Sequence, residues 1–190
     1  MANLHFHYGT MGTSKSAELI MNAYNFTKYN VKVECIKPKM DNRWAAEKIN
    51  SRIGISTPAK RLVNLDNYMP EKGTKVVLID EIQFFSPKDI DKLVNLADNY
   101  NIIVICYGLL VDYNENMFPT SKRLIEVGAK LHQLKSNCQI EGCMNLSTHH
   151  LLFDGNGNVV RGGTGIQVGD SVYKSVCRKH FYQYYKGKVK

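Results

Sequence analysis

Residues 9–16, reading Gly-Thr-Met-Gly-Thr-Ser-Lys-Ser, set the residue types of phosphate chemistry at a telling spacing. Gly9, Lys15 and Ser16 fill the first, seventh and eighth places of a G-x-x-x-x-G-K-[ST] loop. In such a loop backbone N–H groups curl round an anion at a helix N-terminus, the Lys reaches the outer phosphates and the hydroxyl touches Mg²⁺. Thr10, Met11, Gly12, Thr13 and Ser14 make up the cradle, and Ser14 stands where the sixth-place Gly belongs. A second stretch, Lys75-Val-Val-Leu-Ile-Asp80-Glu81, is a short apolar run ending in two acids. Such a run suits a strand buried on both faces of a parallel sheet, whose carboxyl end is where open α/β sheets take their ligands. Asp80 is placed to hold Mg²⁺, and Glu81 is then free to accept a proton from an attacking hydroxyl. Strand, loop, helix and a later strand ending in paired acids together specify phosphoryl transfer far better than either motif alone.

A third set carries metal chemistry. Cys138-x₄-Cys143 and Cys177-x₂-His180 are two pairs of soft ligands separated by a hairpin-like stretch, which is how a structural zinc site is written in sequence. The hairpin signal is Asp154-Gly-Asn-Gly-Asn158, between Leu151-Leu-Phe153 and Val159-Val160. His149-His150 is a rival pair, set aside for its mid-strand position. Residues 162–169 hold four glycines around Thr164, Ile166 and Val168, a composition suited to a lid over a small substrate.

The elements that must position these residues follow from periodicity. Leu4, Phe6 and Tyr8 predict a strand before the loop, and Ala17 to Thr27 predict a helix to about Lys28, with Asn30 as its C-cap. Val31 to Ile36 reads as a second strand. Residues 39–60 read as a loop with a short helix around Ala45 to Asn50; its basic residues, with Arg43, Lys48, Arg52, Lys60 and Arg61 among them, are candidates for closing over phosphates. Ser86-Pro87 caps a helix carrying Ile90, Leu93, Val94 and Ala97, and Ile102 to Cys106 is a further buried strand. Tyr113 and Phe118, just beyond it, are placed to stack on a base, and residues 121–130 are helical. Repeated β-α-β units of this kind predict an α/β fold, a mostly parallel sheet with helices on both faces. From Leu131 the alternation stops, so the chain divides into a P-loop α/β domain, 1–136, and a small zinc-binding β domain with a lid, 137–190.

At 190 residues and 44% hydrophobic the chain buries a full core. An odd count of five Cys argues for a reducing compartment, no stretch is apolar for long enough to span a bilayer, and no signal peptide is evident. These features predict a soluble cytoplasmic protein with no membrane partner. The net charge of +8 suits anionic partners.

The order of motifs resembles the type II, zinc-containing thymidine kinases. The resemblance rests on the loop at 9–16, Val76 to Phe85, Tyr107-Gly-Leu with Asp112-Tyr113 and Phe118, Ser121-Lys-Arg-Leu, both ligand pairs, and Tyr173-x-Ser-Val-Cys177-Arg-Lys-His180. It implies transfer of the ATP γ-phosphoryl to the 5′-hydroxyl of thymidine, with Mg²⁺ and a structural Zn²⁺, for nucleotide salvage and DNA precursor synthesis. It further implies a homotetramer, feedback inhibition by dTTP and no nucleic-acid partner. Glu81 is then the general base, Asp80 and Ser16 serve the metal, and Lys15 the phosphates. Arg43 neutralises charge on the transferring group, and Gln83 joins the ATP and Mg²⁺ contacts. Phe84, Tyr113 and Phe118 line the base pocket. Ile166, Gln167, Val168, Gly169 and Tyr173 form a lasso whose backbone meets the thymine edge.

Three positions depart from the family's pattern: Ser14 in the loop, the wider first ligand pair, and Gln167-Val168-Gly169 where the family shows Ile-Gly-Gly. With Gly12 two residues upstream to supply the flexible point, Ser14 is expected in an ordinary backbone conformation. The altered lasso leaves open a P-loop kinase for another nucleoside or deoxynucleoside. A non-catalytic zinc-ribbon binder of nucleic acid is the other alternative; paired acids facing phosphate speak against it.

Overall fold

The computed structural model describes residues 3–41, 47–163 and 172–187. Strand β1 (Leu4–Tyr8) leads through the glycine loop into α1 (Lys15–Lys28). The helix stops at a left-handed Asn30, whose N–H donates to the Thr27 carbonyl while that of Val31 donates to Phe26. These are the paired bonds of a Schellman cap, as the C-cap reading of Asn30 anticipates. Then come β2 (Val33–Pro38), β3 (Lys48–Asn50), β4 (Ser56–Pro58), β5 (Lys60–Leu62) and β6 (Val76–Ile79). A 3₁₀ turn (Ile82–Phe84) precedes α2 (Pro87–Asn99), followed by β7 (Ile103–Gly108), α3 (Pro119–Glu126) and β8 (Lys130–Gln133). The chain ends in β9 (His149–Phe153), β10 (Val172–Val176) and α4 (Arg178–Tyr185).

Six strands form one sheet in the order β5-β2-β6-β7-β1-β8, every neighbouring pair parallel. β6 is fully buried along its length, as its uninterrupted apolar run requires. One face packs Phe6, Val77, Ile79 and Val104 against Ile90, Leu93 and Leu96 of α2 and Leu124 of α3. The other face packs Leu78, Ile105 and Tyr107 against Leu19, Ile20 and Ala23 of α1. The result is three layers with the acid pair and the glycine loop at the carboxyl edge of the central strands. α2 starts as its sequence predicts: the Asp89 carboxylate accepts from the Ser86 N–H and hydroxyl, closing a capping box beside Pro87.

Four expectations are corrected. Lys48–Asn50 is a strand paired antiparallel with Ser56–Pro58, not the end of a helix; Ile49 is buried under α1, and that burial outweighs the weak local signal. The third helix begins at Pro119 and ends at Glu126, because a left-handed Gly128 turns the chain into β8. β8 then pairs with β1, so the parallel sheet runs one strand past the point where the sequence alternation fades. The turn at Asp154 to Asn158 is real, with Asp154 N–H donating to the Asn158 carbonyl, but Val159 makes only an isolated bridge to Phe153. The strand that pairs with β9 is β10, Val172–Val176. Among the described residues no helix is long and apolar enough to cross a membrane.

Candidate functional site

The glycine loop is shaped by close approach. A Cβ on Gly9 would lie 2.6 Å from the Leu134 carbonyl and 2.7 Å from Thr13 Oγ1, so no larger residue fits. Gly12 and Ser14 both take positive φ, 78° and 61°. The flexible point has therefore not moved wholly to Gly12, and the expectation of an ordinary backbone at Ser14 is overturned. The turn into α1 demands a left-handed residue, and a serine there costs about 1–2 kcal/mol that glycine avoids. Mixed left- and right-handed residues are what curl successive N–H groups into an anion cradle. Lys15 is buried inside the loop, its Nζ donating to the Gly9 and Thr10 carbonyls at 3.1 and 2.8 Å.

Beside the loop, Ser16 Oγ donates to Asp80 Oδ2 at 2.8 Å. Two residues 64 positions apart in sequence thus meet as a hydroxyl and a carboxylate, an arrangement of oxygen donors that fits Mg²⁺. Burial raises the Asp80 carboxyl to about 7, with the Glu81 charge adding to the lift and Ser16 and Lys15 opposing it. Glu81 itself sits at φ 49°, and Gln83 Nε2 donates to its Oε2 at 2.6 Å. The Gln83 carbonyl in turn accepts from the Leu109 N–H at 3.0 Å. A Cβ on Gly108 would fall 2.5 Å from that same oxygen, so the glycine makes room for the brace. The contacts of Gln83 are thus with Glu81 and the end of β7, and its geometry is that of a residue orienting the acid.

The aromatics divide. Tyr113 is buried, its hydroxyl donates to the Gly162 carbonyl at 2.8 Å, and its ring lies 6.4 Å from that of Tyr173. Asn114 grips Gly162 from both sides, its side chain donating to the carbonyl at 3.2 Å and accepting from the N–H at 3.0 Å. Gly162 is therefore anchored on the segment after β7. Phe118 is buried at the N-terminus of α3, and Phe84 is half-buried in the 3₁₀ turn. Arg43, Ile166, Gln167, Val168 and Gly169 lie outside the described residues. Of the other basic candidates, Lys60 pairs with Glu34 at 2.7 Å and Glu71 at 3.0 Å, and Arg61 donates to the Lys39 carbonyl. Both make these contacts from the outer strand β5.

Cys138, Cys143, Cys177 and His180 converge, with one ligand atom from each lying within 4.8 Å of the others. Cys143 and Cys177 sulfurs are 3.9 Å apart, and His180 Nδ1 is 3.3 and 3.5 Å from the sulfurs of Cys138 and Cys177. Tetrahedral zinc with ordinary bond lengths sets ligand edges at about 3.5–3.8 Å, so the four residues fit that ion. Burial pushes the Cys138 thiol up. Burial also presses on Cys177, but the His180 N–H and the neighbouring thiols carry it below the ordinary thiol range, toward the metal-binding thiolate. Asn145 Nδ2 lies 3.6 Å from the Cys143 sulfur. His149 is engaged elsewhere, stacked on Phe181 and 3.5 Å from Glu115.

Sequence reasoning missed the joints between the two regions. Thr10 Oγ1 bonds Ser147 Oγ at 2.8 Å, Ser147 bonds Ser136 at 2.7 Å, and Ser175 donates to the Met11 carbonyl. His150, weighed in sequence only as a ligand, is buried against Tyr173 with its Nδ1 unpartnered. Isolated serines and a single histidine carry no periodicity or spacing that would reveal such contacts.

The family described as thymidine kinase matches residues 2–181. A thymidine kinase of Shewanella oneidensis is 33% identical, over 97% of this chain and 98% of its own length. One from Mannheimia succiniciproducens is 35% identical over 96% of each chain. That of enterobacteria phage T4 is 34% identical over 95% of this chain and 96% of its own.

Proposed function

The chain belongs to the thymidine kinase family, and on that premise we propose that it moves the γ-phosphoryl group of ATP to the 5′-hydroxyl of thymidine, giving dTMP and ADP. The observation that carries this reading is the Ser16–Asp80 contact at 2.8 Å, with the charges of Lys15 and Glu81 both acting on the Asp80 carboxyl. Ser16 and Asp80 would hold Mg²⁺, which would supply charge neutralisation of the phosphates. A cation there also removes the penalty that burial places on ionised Asp80. Lys15 exchanges its loop carbonyls for the phosphate oxygens, and Arg43 adds a further positive charge.

Glu81, oriented by Gln83, accepts the proton of the 5′-hydroxyl as that oxygen bonds to the γ-phosphorus. The bond from phosphorus to the β,γ-bridging oxygen breaks, and its electron pair leaves with ADP. Phe84, Tyr113, Phe118 and Tyr173 hold the base, with Ile166 to Gly169 closing over its edge. Cys138, Cys143, Cys177 and His180 would hold a zinc ion that would tie together β9, β10 and α4, and so the far end of the lid. The division into 1–136 and 137–190 and a cytoplasmic location belong to the same proposal and rest on the sequence pattern, while a homotetramer, a role in DNA precursor synthesis and inhibition by dTTP rest on family kinship.

The test is a phosphoryl-transfer assay with Mg-ATP across the four deoxynucleosides and uridine. Thymidine should give the highest kcat/KM. Preference for another nucleoside, or no transfer to any, overturns the reading.

A further inference from the structure

Three imidazoles with no part in phosphoryl transfer stand together at the outer edge of the main sheet. His5 and His7 alternate with Leu4, Phe6 and Tyr8, so they lie on the face of β1 that α1 covers, opposite the α2 core. β8 pairs in register with β1 and sets His132 directly beside His7. His5 Nδ1 and His132 Nε2 are 3.1 Å apart, and the ring centroids of His7 and His132 are 4.4 Å apart. One nitrogen from each of the three rings lies within 4.8 Å of the others. Behind them, in the first turn of α1, Glu18 Oε1 lies 2.6 Å from His7 Nδ1.

We infer that His5, His7 and His132 form a second metal site, separate from the cysteine cluster, for a borderline divalent cation of the Zn²⁺ class. Imidazole is a preferred ligand of such ions. Adjacent nitrogens bound to tetrahedral zinc at ordinary distances stand about 3.3–3.4 Å apart, a few tenths of an ångström beyond the 3.1 Å between His5 and His132. Glu18 holds the proton on His7 Nδ1 and leaves the Nε2 lone pair for the ion. A carboxylate behind a ligating imidazole is the support that histidine metal sites use to fix tautomer and orientation.

The proton shared between His5 and His132 moves to the far nitrogen of its own ring on metallation, so each ligand enters neutral. His5 and His7 are each stacked on His132, so metal binding requires the rings to turn about their Cβ–Cγ bonds to bring the three lone pairs to one point. All three residues are half-buried, so water can complete the coordination shell. The opposing charge is Lys130, which stands opposite His5 in the strand register. Burial, followed by the neighbouring imidazoles, disfavours protonation of His5 and His132, which keeps them in the metal-binding form near neutral pH. A bound ion would clamp the edge strand β8 to β1 and, through Glu18, to the turn of α1 that follows the phosphate loop.

Equilibrium dialysis of the whole protein against micromolar Zn²⁺ near pH 7.5, followed by elemental analysis, tests the site. The parent should hold about two zinc ions per chain, and His132→Gln and His5→Gln about one. Glu18→Gln should bind the second ion roughly 10–100-fold more weakly. Acidification to about pH 5 should release that ion, since imidazoles must shed a proton to ligate. Circular dichroism and retention of the first zinc report whether the variants fold. A parent that holds only one ion, or folded histidine variants that still hold two, overturns the site.

Discussion

The phosphate end and the metal end of this molecule hold their functional groups by opposite means. Lys15 and Ser16 open α1 and Asp80 and Glu81 follow β6, all against a six-stranded sheet buried on both faces, and the core beneath them can carry a raised carboxyl and two left-handed non-glycine residues. The ligand cluster has a two-stranded sheet, one short helix and a buried set of Cys138, Leu151, Val176, Cys177 and Phe181. A two-stranded sheet is marginal alone, and two of those five buried side chains are themselves ligands. Strain is tolerated where apolar burial is large; where it is small, coordination has to replace it.

The largest effect should come from the strained end. Glu81→Gln should lower kcat by about 10²–10⁴-fold with ATP binding near normal, because only proton transfer is lost. A loss of less than about tenfold in single-turnover assays would remove Glu81 as the base. At the metal end, Cys177→Ala should abolish zinc retention at the cysteine cluster and expose the amides of β9, β10 and α4 to rapid hydrogen exchange, while β6 and β7 stay protected. Uniform loss of protection would mean that the two regions fold as one unit, and the contrast would fail.

His150 sits where the two ends meet, and it makes the comparison sensitive to pH. Burial, then the nearby Lys15, lowers its pKa to about 4 from an ordinary 6.5. Its neutral form therefore contributes stability that is complete above about pH 6.5 and is lost as pH falls through about 4. The thermal midpoint of the parent should fall more steeply over that window than that of His150→Asn. Identical pH profiles would show that His150 does not titrate on its own at this joint.

The smallest effect concerns Ser14. Replacing a left-handed serine by glycine should stabilise the protein by about 1 kcal/mol, with the KM for ATP changed by less than about tenfold. Ser14→Val should be far worse on both counts, since a β-branched side chain resists positive φ more strongly. A destabilised Ser14→Gly would mean that the hydroxyl compensates for the backbone, contrary to its lack of a capping bond.

What the sequence determined by itself was everything with a period or a fixed spacing. The apolar run before Asp80, the capping residues Ser86 and Pro87, the helical face of Ala17 to Thr27 and the four ligand positions are local statements, written within one element or one motif. Tertiary structure decided the pairings between distant segments: β8 beside β1, β10 rather than Val159 against β9, and Lys60 against Glu34. It also decided the left-handed turn at Ser14, because Gly12 offered an alternative that only the path into α1 could exclude. The histidine cluster shows the same division. His5-x-His7 is visible as an alternation, yet nothing in the chain says that His132, 125 residues later, stands in register beside it. Strand register is fixed by which faces are buried together, and that is a property of the assembled sheet.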